Sequence, residues 1–146
     1  MNSTLNNRKA DLFVNEVKNL ILSSPKGVKS LIYYLFTHAD LNDLLNKETI
    51  FYNMKDIQLF LFTNCNHETH SELMELMCTL HSLSSVASTE SGDIILSAKL
   101  LNTYEISEEN NDYFLAITFI YALKDYFFRN SEYFTDFISK LSEDLK

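Results

Sequence analysis

Apolar residues recur along most of the chain at the three- and four-residue spacing of one face of an α-helix. Ala10, Phe13, Val14, Val17, Leu20 and Ile21 form the first stripe, with Glu16, Lys18 and Asn19 on the opposite side. Ser23-Ser24-Pro25 then predicts a helix start, a serine cap followed by proline in the first turn, and leads into Val28, Leu31, Ile32, Leu35 and Phe36. Asp40 is placed to cap a short helix carrying Leu41, Leu44 and Leu45. Asn53 is placed to cap another from Met54 to about Thr63, whose run Leu59-Phe60-Leu61-Phe62 is apolar all round and competes with a strand reading.

The pattern continues in the second half. Thr69 and Glu72 have capping-box spacing ahead of Leu73, Leu76, Met77, Leu80 and Ala87. Ser88 to Asp93, with Gly92, reads as a loop. Ile94, Ala98 and Leu101 predict a helix over Ile94 to Tyr104, and Glu105 to Asp112 a polar connector. The most hydrophobic helix is expected from about Glu109 to Arg129, and an amphipathic one carries Phe134, Phe137, Ile138, Leu141 and Leu145. The expected fold is therefore all-α: a flexible N-terminus over 1–9, then one compact bundle of seven or eight helices over 10–146.

Composition narrows the class. A chain of 146 residues with 46% hydrophobic content is long enough for one core and too apolar to be disordered. Two glycines and one proline are too few for the turns of a sandwich or barrel. A net charge of −8 repels phosphate backbones and suits a basic protein partner, so no nucleic acid is expected. Cys65 and Cys78 make no disulfide framework, the first residues lack the apolar core of a signal peptide, and no apolar run is long enough to span a bilayer. These features place the chain in a reducing, aqueous compartment.

Little in the sequence suggests chemistry. Cys65, His67, His70, Cys78 and His81 offer two thiolates and two imidazoles, but Cys65-x-His67 lacks the two-residue gap of a zinc knuckle. No Gly-x-Ser-x-Gly elbow or phosphate-cradling glycine loop is present. No catalytic residue, metal or cofactor is expected. The rings are more informative: one helix cannot bury all of Tyr126-Phe127-Phe128 against one core, and Phe60 and Phe62 pose the same difficulty. Surplus apolar surface on helices is what a partner-binding face needs.

The run Ile94-Ile95-Leu96-Ser97-Ala98-Lys99-Leu100-Leu101, a short polar connector, the Phe114 to Phe128 stretch and a final amphipathic segment near Leu141 resemble the poxvirus Bcl-2-like proteins. Upstream, Asp11 to Leu22 is similar to that family's first helix and Met54 to Leu80 to its middle pair. The resemblance implies a non-catalytic viral protein of the host cytoplasm. It would suppress innate immune signalling, NF-kappaB or interferon induction, by binding a host adaptor or kinase subunit, and it leaves a homodimer open. The alternative in that fold is an anti-apoptotic protein gripping BH3 helices in a groove lined by Phe62, Leu73, Met77 and Lys99. Lys99 would then replace the signature arginine, since neither Arg8 nor Arg129 follows a glycine and the chain has no Trp. Phe60, Phe62, Leu73, Met77, Lys99, Tyr126 and Phe127 are the candidate partner-binding residues. The acidic charge supports a third class, a bacterial secretion chaperone or an immunity protein for a basic toxin.

Overall fold

A computed structural model describes residues 2–65 and 70–146; for residues 2–6, 62, 64, 65 and 70 only the backbone is considered. The chain is 58% helical and 23% strand, with antiparallel sheets of three and two strands, so it is neither the all-α bundle that the apolar spacing predicts nor the Bcl-2-like layout that the resemblance implies. In chain order the elements are α1 (Asn2–Leu22), α2 (Lys26–Thr37), α3 (Leu41–Asn46), β1 (Ile50–Asn53), α4 (Met54–Cys65) and α5 (His70–Ser82). They continue with β2 (Ser84–Ser88), β3 (Ile95–Lys99), β4 (Leu101–Glu109), β5 (Asp112–Phe119), a π-helix (Leu123–Phe128) and α6 (Ser131–Asp144).

The first half follows its local signals closely. α1 is helical from Asn2, within the segment expected to be a flexible terminus, and buries Phe13, Val14, Val17 and Ile21. Ser24 closes α1 rather than capping α2, because its hydroxyl donates back to the Leu20 carbonyl at 2.8 Å. Pro25 then precedes the first residue of α2 in an extended conformation. Asn53 caps α4 as its position predicts, its side-chain oxygen accepting from the N–H groups of Lys55 at 2.9 Å and Asp56 at 3.3 Å. The thirteen-residue α5 carries Leu73, Met77 and Leu80 inward, and its Thr69–Glu72 capping box lies partly outside the described residues.

From Ser84 to Phe119 the expected helices are strands. Ile94, Ala98 and Leu101 fit a helical stripe, but Ile94, Leu96, Ala98 and Leu100 alternate equally well, and short apolar runs satisfy both periods. What decides is the surroundings: α1 covers one face of the β2–β3 ribbon, where Ala87 and Ala98 are buried, and leaves Val86 and Ile95 exposed on the other. In the same way Leu115, Ile117 and Phe119 face the core from β5, while Phe114, Ala116 and Thr118 face outward. The supposed connector holds the turn that makes this possible. Asn110 and Asn111 both have positive φ, 53° and 69°, the pair of left-handed residues that joins two strands in a tight hairpin and that asparagine tolerates.

The three-stranded sheet has the order β1-β5-β4, with Phe51 opposite Ala116 and Tyr104 opposite Ile117. The two helices α4 and α5 and the β2–β3 ribbon thus lie between β1 and the β4–β5 hairpin, whose return strand β5 pairs with β1. α2 runs through the centre and packs on α4, α5 and α6. Its Phe36 meets Phe119, Phe127, Phe128 and Phe134, with ring centroids 5.2 to 6.3 Å apart and mostly edge to face. The π-helix feeds this cluster. The N–H of Arg129 donates to the carbonyl of Lys124, five residues back, and the widened turn brings the neighbours Phe127 and Phe128 both fully inside.

Candidate protein-interaction surface

The expected binding residues are dispersed. Leu73, Met77 and Phe127 are buried in the core, at 1%, 0% and 0% exposure, and so form no open groove. Lys99 ends β3 and is half-buried. Tyr126 is half-buried edge-on against Phe13, with centroids 5.8 Å apart. Phe62 lies on α4, but its side chain is outside the described residues. Of the zinc-type cluster, the side chains of Cys65, His67 and His70 are likewise outside them. Cys78 is exposed on α5 and His81 sits edge-on to Tyr104. Among the described residues no group of three or more His, Cys, Asp or Glu side chains could hold a metal ion. None of the described helices is long and apolar enough to cross a membrane.

Phe60 is the expected residue that lines an open depression between α2 and α4. Residues 56, 59, 60 and 63 of α4 stand at i, i+3, i+4 and i+7, hence on one face, and they meet the C-terminal end of α2. Asp56, Leu59, Phe60 and Thr63 together with Tyr34 and His38 line an open depression of about 370 Å³. Its floor is aromatic. The imidazole of His38 stacks on the Tyr34 ring, 3.9 Å between centroids and 10° from parallel, and Phe60 tilts against Tyr34 at 5.1 Å. Leu59 forms an apolar wall, 66% exposed.

The polar groups of the depression are underused. Tyr34 is only 6% exposed, and its hydroxyl makes no hydrogen bond with a described residue. Tyr34 is nevertheless one of the residues that line the depression. Burial, then the charge of Asp56, raises the Tyr34 pKa above the ordinary tyrosine value of 10.0 and keeps the phenol neutral. Asp56 itself is exposed and makes no ion pair with a described residue. Sequence reasoning missed Tyr34, His38, Asp56 and Leu59. The i, i+4 spacing of Tyr34 and His38 was a readable signal, but their meeting with α4 is tertiary.

Charge distribution sets the depression in a wider context. Residues 56–112 carry ten acidic side chains and a single Lys or Arg, Lys99; apart from Glu68, which lies outside the described residues, the acidic ones fall on α4, α5, the loop of the β2–β3 ribbon and the β4–β5 hairpin. Glu75, Glu105, Glu108 and Glu109 are exposed, and the Lys55–Asp112 contact at 3.4 Å ties the start of α4 to the hairpin tip. α5 carries Glu72 and Glu75 and no Lys or Arg, which opposes contact with a phosphate backbone. No family model, curated protein or solved structure matches the chain.

Proposed function

We propose that the chain is a non-catalytic protein-binding domain whose partner presents a basic surface to the acidic α4–α5–hairpin region. The carrying observation is the concentration of charge, ten acidic side chains against one basic over residues 56–112, on a segment that also exposes Leu59, Val86 and Ile95. Complementary fields speed encounter and select against wrong partners, while apolar and aromatic groups hold the complex once formed. The same charge opposes nucleic acid, because phosphate contacts require Lys and Arg on the binding face.

The identity of the partner does not come from the viral resemblance. Suppression of innate signalling and capture of BH3 helices were both drawn from an all-helical layout, and this chain has two sheets where that layout requires helices. The acidic charge that favours a basic protein partner stands independently of it.

The test is retention on the immobilised chain compared with a variant carrying Glu75→Lys, Glu105→Lys and Glu108→Lys, all at exposed positions. A basic protein held by the native chain, released by salt and lost by the variant is the expected result. Identical retention by both forms, or a mobility shift of duplex DNA by the native chain at physiological salt, would refute the proposal.

A further inference from the structure

We infer that the depression between α2 and α4 receives an arginine side chain of the basic partner, with Asp56 as its anionic anchor and the Tyr34–His38 stack as its planar floor. The inference rests on the protein-binding reading above and assigns its anchor point. Three observations converge. Tyr34 lines the depression as a deeply buried residue whose hydroxyl makes no hydrogen bond with a described residue. Asp56 lines the same space with an exposed carboxylate that makes no ion pair with a described residue. The floor is formed by flat rings, and Leu59 supplies a wall for an aliphatic stem.

Arginine fits this set better than lysine. A guanidinium is planar, carries five N–H donors and stacks on ring faces, whereas an ammonium is a strongly hydrated point charge. Here the acceptors, the Asp56 carboxylate on α4 and the phenol oxygen at the edge of the stacked pair on α2, belong to different helices. A forked donor can address both at once. The arginine stem would cover Leu59 and Phe60, as long basic side chains do on apolar surface.

The test is an NMR titration of the full chain with N-acetyl-arginine amide, with N-acetyl-citrulline amide as the uncharged isostere. Expected are shifts confined to Tyr34, His38, Asp56, Leu59, Phe60 and Thr63, with citrulline producing none. Asp56→Asn should weaken binding by about tenfold or more, the size of a lost charge-assisted hydrogen bond. Leu59→Lys, at an exposed position that leaves the core untouched, should abolish it by placing a cation inside the depression. Shifts spread equally over Glu75, Glu105 and Glu108, or binding unchanged in both variants, would overturn the inference. A basic partner that is lost by the Glu75, Glu105 and Glu108 reversal but retained by Asp56→Asn and Leu59→Lys would refute the arginine anchor alone and leave the protein-binding reading standing.

Discussion

The ammonium of Lys124, 9% exposed on the π-helix, donates to the carbonyl of Lys47, the C-cap of α3, at 2.5 Å. The last carbonyls of a helix lack intrahelical partners, and a cation is favoured at that end of the helix dipole. Lys124 thus fastens a six-residue helix, too short to be stable alone, to the aromatic core. α2 ends in a related way, with the Tyr52 hydroxyl donating to the Leu35 carbonyl at 2.5 Å. Lys124→Met is expected to lower stability by about 1–3 kcal/mol, the usual cost of stranding a buried polar group, read as a lower urea midpoint with an unchanged m-value.

Two rings of the Tyr121–Phe128 stretch should differ sharply in cost. Phe128 is fully buried against Phe36, Phe119 and Phe134, whereas Tyr121 is 73% exposed. Phe128→Ala should destabilise by about 3–5 kcal/mol, and Tyr121→Ala by no more than about 0.5 kcal/mol. Equilibrium unfolding of the two variants side by side is the check. Equal losses would contradict the inward placement that the π-turn achieves.

The hairpin tip gives a backbone prediction. Asn111 has φ of 69°, where a β-branched residue is strained but asparagine is tolerated. Asn111→Val should cost about 1–2 kcal/mol, while Asn111→Gly should be neutral or stabilising. Thermal unfolding of the pair measures both.

In alkali, the sign follows from two tyrosines. Burial, and next the neighbouring Tyr34, raises the Tyr52 pKa well above 10.0, and burial with Asp56 raises that of Tyr34. A group whose folded pKa is raised contributes stability that is complete below the unfolded value and is lost as pH climbs through the folded one. Stability should therefore hold up to about pH 10 and fall above it. In a tyrosinate absorbance titration, Tyr52 should ionise only together with unfolding. Smooth titration of all eight tyrosines near pH 10 would contradict this.

Acid works oppositely on Asp93. Hydrogen bonds from Ser91 and Thr89, both 2.6 Å, then from Arg8, hold its carboxyl well below the usual 3.8. Its contribution is present above the unfolded value and is lost as pH falls through the folded one. In a carboxyl NMR titration Asp93 should ionise lower than the other aspartates, and Arg8→Gln should move it up. Because the site is exposed, the consequence is a tethered β2–β3 loop rather than a large change in global stability.

By itself the sequence determined what local physics fixes: the stripes of α1, α2 and α6, the Asn53 cap of α4, an apolar core and an acidic surface. Caps and helical stripes are set by neighbours three or four residues away, so they are legible along the chain. Only the tertiary structure decided the region from Ser84 to Phe119. Its apolar runs satisfy periods of both two and four, and α1, β1 and the Asn110-Asn111 reversal select the strand reading. The candidate site divides in the same way. Phe60 was visible as a ring in excess, but the depression needs Tyr34 and His38 from one helix to meet Asp56 and Leu59 from another. That meeting is decided by how α2 packs on α4, a contact between distant segments that no local spacing encodes.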